Sequence, residues 1–314
     1  MLESGFVVAT ARILRRVWQI YVAHVFLFTI FLAEISYVAT RFENPLYSEE
    51  MGIMDFLKQP DVTIVQALLL RFRPVNMDVL PLYIVLMLFL PVILWLMKWR
   101  TDVTLALSVA LYAITWQYDL YLSAYPNGFW AFNPFAWQLL FFLGAWTAVG
   151  GAGAVESIVR TRTVFFLAIG YLVFALVVTM AINSPHLGNV LPSWMLEPFD
   201  PNDKTNLAPY RIVHLIALAI IITRFLPADS AILKWRSLMP LIKCGQNSLP
   251  VFCSGIVLSF CAHAAIEESL NSLWVQIFAA VIGVALMTAV AYCWGSLKER
   301  DHIHPARPRA RGFA

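Results

Sequence analysis

The sequence predicts an all-α polytopic membrane protein with about eight transmembrane helices and both termini in the cytoplasm. Three observations predict it. Of the 314 residues, 60% are apolar and 13% are charged, whereas a soluble domain carries about 25% charged residues. The apolar residues form runs of about 16–23, which cross a hydrocarbon core of roughly 30 Å at about 1.5 Å per residue. Basic residues crowd alternate connections between those runs. Disorder is excluded by the high content of Leu, Ile, Val and Phe. A net charge of +3 is too small an excess to suggest a nucleic-acid partner. Each span must satisfy its backbone internally, so the runs read as helices.

In chain order the expected spans are Val17–Ala39, Leu80–Met97, Val103–Tyr118, Phe135–Gly150, Thr163–Ile182, Ile212–Leu226, Leu249–Ile266 and Trp274–Ser296. The third, fourth and sixth are short, as tilted or re-entrant segments are. With a cytoplasmic amino terminus, the inner segments hold Arg12, Arg15, Arg16, Lys98, Arg100, Arg160 and most other cations. Only Arg41, Lys58, Arg71, Arg73, Lys204 and Arg211 remain outside. The positive-inside rule gives the orientation. The long connections Thr40–Val79 and Asn183–Tyr210 are then external, and loops of that length are often functional.

Val62–Phe72 is apolar but too short to span, so it reads as an interfacial or loop-packing helix. Pro91, Gly144, Gly150, Gly151 and Gly153 read as sites of kinks and close helix contact. Trp130, Trp137, Tyr121 and Tyr125 read as an aromatic belt at one water boundary. Residues 1–297 form the membrane domain and 298–314 a disordered basic cytoplasmic tail. The four cysteines form no CxxC pair and read as packing residues. No metal site is expected.

Two ionisable side chains fall within the first span, His24 and Glu34, and charge inside a bilayer marks a functional candidate. They are ten residues apart, about 15 Å along a helix axis, too far to touch. His24 is either a ring bonded to a neighbouring helix or a proton-relay or substrate group. Glu34 lies nearer the outer boundary. Arg12 and Arg15, three apart, project from one helix face, either as a topogenic flank or as guanidinium groups that grip phosphate.

Four stretches bear a resemblance. RILRRVW followed by YVAHVFLFTIFLAEI resembles the arginine-led helix of the acyltransferase-three superfamily of membrane acyltransferases. MDVLPLYIVLMLFLP and FNPFAWQLLFFLGAW resemble the OpgC-type succinyltransferases of osmoregulated periplasmic glucans. CGQNSLPVFCSG is similar to the late superfamily pattern. In order and spacing they cover nearly all of Ala11–Trp294.

The resemblance implies a membrane-bound O-acyltransferase of the bacterial inner membrane. It implies an acyl-coenzyme A donor on the cytoplasmic side, succinyl-CoA for this branch, and a periplasmic glucan acceptor outside, with no bound cofactor. Arg12 and Arg15 match the Arg-x-x-Arg motif and become donor contacts; Asn133, Gly245, Ser248 and Leu249 fall in motifs read as structural. The superfamily opens with two further spans, the first carrying the histidine taken as catalytic base. The chain begins at the third family helix, and His24 lies on a different helix from that base. The expectation is a truncated product whose residues 1–314 transfer little succinyl. The competing readings are a proton-coupled transporter or flippase using His24 and Glu34, and a degenerate, non-catalytic membrane protein.

Overall fold

A computed structural model describes residues 5–184, 192–199, 203–227 and 230–303. The chain is all-α, with no strand among the described residues; a single β-bridge joins Ser123 to Phe129. Helix α1 runs over Phe6–Arg41, followed by the short α2 (Leu46–Glu50), α3 (Met54–Lys58) and α4 (Pro60–Leu68). Then come α5 (Val79–Trp99), α6 (Thr101–Tyr118), α7 (Pro134–Trp146), α8 (Ala152–Val159) and α9 (Arg162–Asn183). The remainder are α10 (Ser193–Leu196), α11 (Pro209–Phe225), α12 (Met239–Gln246), α13 (Ser248–Glu268) and α14 (Leu273–Ile303).

Each of the eight expected spans is helical over most of its length. Among the described residues, six helical stretches are long and apolar enough to cross a bilayer: Phe6–Arg41, Val79–Trp99, Pro134–Val159, Arg162–Asn183, Ser248–Glu268 and Leu273–Lys298. The other two expected spans are α6 and α11, of 18 and 17 residues. The protein is a multi-pass membrane protein. Its helices turn large apolar side chains outward, among them Phe166, Leu167, Phe278 and Val281, as contact with lipid tails requires.

Three boundaries differ from the sequence reading. Helix α1 begins at Phe6, ahead of Val17, so the arginine stretch lies on the helix itself; long guanidinium stems ride along an apolar rod while their heads reach water. The fourth run breaks after Trp146 into a π-turn over Thr147–Gly151 before α8 resumes. Gly150 takes φ 120° there, and a Cβ on Gly151 would collide with the Trp146 ring, so both positions require glycine. At the carboxyl end, α14 continues to Ile303, so residues 298–303 are helical where the sequence suggested a disordered tail. Residues 304–314 lie outside the described residues.

The contacts divide the chain into two compact units, residues 1–25 with 52–228 and residues 26–51 with 229–314. In the first unit, α5, α6 and α7 pack together, and α9 packs on α11. A polar clamp joins α6 to α7: the Ser108 hydroxyl donates to Gln138 Oε1 at 2.6 Å, and Gln138 Nε2 donates to the Ser108 carbonyl at 2.9 Å. Such bonds hold membrane helices together where lipid supplies no hydrophobic drive.

Helix ends assigned by sequence to one side meet there. Arg224 at the end of α11 donates to the carbonyls of Arg160 and Thr161 between α8 and α9. Trp146 at the end of α7 donates to Asp102 at the start of α6. In the second unit, α14 packs on α12 and α13.

Candidate functional site

The segment FNPFAW starts α7. Asn133 caps the helix, its Oδ1 accepting from the Phe135 amide at 3.1 Å, and Pro134 occupies the first turn; proline there loses no needed donor. Asn133 is fully buried and does more than cap. Its Nδ2 donates to the Leu120 carbonyl at 2.6 Å and to Asn206 Oδ1 at 3.1 Å, and its backbone N–H donates to the Thr205 carbonyl.

Asn206 extends the network. Its Nδ2 donates to the Tyr121 hydroxyl at 2.8 Å and its backbone N–H to Asp203 Oδ1 at 3.1 Å. Three further donors fasten the same connection: the Tyr112 hydroxyl to the Leu207 carbonyl, Trp116 Nε1 to that of Asn206, and Trp137 Nε1 to that of Lys204. Residues 203–207 of the connection Asn183–Tyr210 are thereby tied to α6 and α7. Beside this network lies a cavity of about 460 Å³, lined by Tyr121, Phe129 and Trp130 with Asp203, Thr205 and Asn206.

Trp130 is buried, so it is not the belt residue the sequence suggested. The Arg73 guanidinium lies 4.4 Å from its ring centroid. Arg73, with 3% of its side chain exposed, pairs with Asp78 at 3.3 Å. That contact is an ion pair rather than an aligned hydrogen bond, because Nη1 and Nε of Arg73 both lack a hydrogen-bond partner among the described residues. Burial lowers the Arg73 pKa and raises that of Asp78, each opposed by the other's charge.

His24 lies within the electrostatic range of Arg73. Its ring is 1% exposed, and neither ring nitrogen has a partner among the described residues. The expected alternative of a histidine bonded to a neighbouring helix is therefore not what the structure holds. Gln66 Oε1, in α4, is likewise buried and unpartnered.

The other sequence candidates have separate settings. Arg12 and Arg15 are exposed on α1, on either side of the buried Ile13, about 18 and 14 Å along the axis from His24. In the second unit, Glu34 Oε1 accepts from the Cys261 thiol at 2.8 Å, and its Oε2 is buried without a hydrogen-bond partner among the described residues. Gly245 ends near the break between α12 and α13, where Ser248 and Leu249 begin the next helix. The residue that holds this junction is Asn247, whose Nδ2 donates to the carbonyls of Lys243 and Ala291 and so ties it to α14. Nearby in that unit, the Tyr47 hydroxyl donates to Glu268 at 2.9 Å, and burial followed by this bond pushes its pKa up to about 12.

Sequence reasoning missed Arg73, Asp78, Asn206 and Asn247. A signal existed for the first two: an Arg and an Asp five residues apart, flanking Pro74 and Met77 just before an apolar run. None existed for the bonds of Asn206 to Tyr121 and Asn133, which are 85 and 73 positions away.

One family model, described as OpgC protein, matches residues 1–299. No curated protein and no solved structure matches the chain.

Proposed function

Since the chain belongs to the OpgC protein family, we propose that it is a membrane-bound O-acyltransferase of the bacterial inner membrane that places succinyl groups on periplasmic glucan. The single observation carrying this reading is the family match over nearly the whole chain. The donor is a cytoplasmic acyl-coenzyme A, succinyl-CoA in this branch. Arg12 and Arg15 are its contacts, since two exposed guanidinium groups on one helix face suit phosphate oxygens. The acceptor is a sugar hydroxyl on the opposite side.

In the transfer, the hydroxyl oxygen attacks the thioester carbonyl and the carbon–sulfur bond breaks. The thiolate leaves and takes up the proton lost by the hydroxyl, giving a glucan ester and free coenzyme A. Asn133, Gly245, Ser248 and Leu249 hold backbone in place and do not enter this step. A transporter reading draws on His24 and Glu34, and Glu34 has the Cys261 thiol as its donor; no observation favours that reading over acyl transfer.

The test is succinyl-CoA binding by the full chain in lipid nanodiscs. The Arg12→Ala/Arg15→Ala double variant weakens binding at least about tenfold, the loss of roughly one charge-assisted hydrogen bond, and Ser248→Ala changes it little. Donor affinity unchanged in the double variant removes the donor assignment, and no binding by the unaltered chain overturns the function.

A further inference from the structure

We infer that the cavity beside the Asn133–Asn206 network is a binding subsite for a neutral hexopyranose residue of a polymeric glucan. The inference rests on the proposed function for the identity of the polymer and on the cavity's own chemistry for the sugar. A pyranose ring presents two kinds of surface. Its C–H faces are apolar and pack on aromatic rings, while its rim carries hydroxyl groups that both donate and accept.

The cavity offers both complements. Tyr121 and Phe129 stack with centroids 4.7 Å apart and planes at 30°, and Trp130 adds a third ring to the lining. Asp203, Thr205 and Asn206, residues with a carboxylate, a hydroxyl and an amide, line the same cavity. Apolar walls with a few fixed polar groups are the usual makeup of a small-molecule site, and about 460 Å³ falls within its usual range.

Preorganisation strengthens the assignment. The polar side chains are held by one another before any ligand arrives: Asn133 holds Asn206, and Asn206 holds both Asp203 and the Tyr121 hydroxyl. A wall already ordered spares the ligand the entropy of ordering it. Asp203 is the charged side chain in the lining, which favours a neutral sugar over an anionic one. The Arg73 guanidinium lies 4.4 Å from the Trp130 ring centroid and holds the indole by a cation–π contact. Phe129 is 62% exposed, a large apolar face left open at the cavity, where a bound sugar would cover it.

The experiment uses the full chain in nanodiscs and a fluorescently labelled, β-linked gluco-oligosaccharide of several units. The unaltered chain binds it saturably, and binds an oligogalacturonide of equal length at least about tenfold more weakly. Phe129→Ala, chosen because the ring is too exposed to support the fold, weakens gluco-oligosaccharide binding about tenfold, near 1.4 kcal/mol. Phe129→Trp restores it, and Leu167→Ala on an outward helix face leaves it unchanged.

Absence of saturable binding, binding that Phe129→Ala leaves within about twofold, or equal affinity for the acidic oligosaccharide overturns the inference. Succinyl-CoA binding is measured on the same samples. Donor binding without sugar binding sinks the subsite alone; sugar binding sensitive to Phe129 without donor binding upholds the subsite and sinks the proposed function.

Discussion

Two polar regions of the first unit share Trp130 as a neighbour and are built on opposite terms. Around Asn133 and Asn206, the buried amides find partners, and the bonds converge on a single connection between distant helices. Around His24 and Arg73, several buried polar atoms make no hydrogen bond among the described residues: both imidazole nitrogens, the Gln66 side-chain carbonyl oxygen, and Nε and Nη1 of Arg73, the last of which meets Asp78 only as an ion pair. A satisfied network fixes geometry, whereas each unsatisfied buried group costs about 1–3 kcal/mol. The first region thus has the properties of a wall. The second carries a cost that its hydrogen bonds do not offset.

The sharpest way to break this contrast is at the ion pair. Arg73→Met leaves Asp78 without its cation in a largely buried setting, and removing one partner of a buried pair costs about 3–5 kcal/mol. Asp78 keeps a fifth of its side chain exposed, so the expected loss is near the lower end, about 3 kcal/mol. Thermal unfolding in detergent reads it. The Arg73→Met/Asp78→Leu double variant recovers most of the loss; a double variant as unstable as the sum of both single ones would show that the pair does not act as a unit.

Next in size is Asn133→Ala. It deletes the helix cap and two donor bonds, leaving the Leu120 carbonyl and Asn206 Oδ1 short of a donor. The expected cost is about 2 kcal/mol. The same variant frees Asn206 and therefore weakens oligosaccharide binding as well, although Asn133 does not line the cavity. A stability loss with oligosaccharide binding intact would separate the network from the subsite.

The degree to which these regions were legible in the sequence follows from what sets each feature. Helix positions follow from the thickness of hydrocarbon that each apolar run must match, so α5, α9 and α13 fall within a few residues of the runs that predict them. Helix ends are less legible, because a helix continues past the apolar boundary wherever charged side chains reach water, as at Arg12 and Lys298. Asn133 was readable as a motif residue, but its second role depends on Asn206, 73 positions away. The connection Thr40–Val79 reads as external with one loop-packing helix over Val62–Phe72; it folds into α2, α3 and α4, and buries Ile53, Thr63, Phe72 and Met77. Burial of Arg73 is a consequence of that packing: the spacing of Arg73 and Asp78 marks them as a pair but not as a buried one.

The smallest expected effect has the opposite sign and bears most directly on His24. In a region whose polar atoms are satisfied, replacing a buried polar residue with an apolar one destabilises, because partners are stranded. Among the described residues His24 has no hydrogen-bond partner to strand, and the ring fills space at 1% exposure. His24→Phe keeps an aromatic ring there and removes two unsatisfied nitrogens, so unfolding is expected to shift upward by about 1 kcal/mol. The parallel change in the other region, Asn206→Leu, lowers it. A downward shift for His24→Phe would mean that the imidazole is bonded in the membrane, and the distinction between a satisfied wall and an unsatisfied site would fail at its central residue.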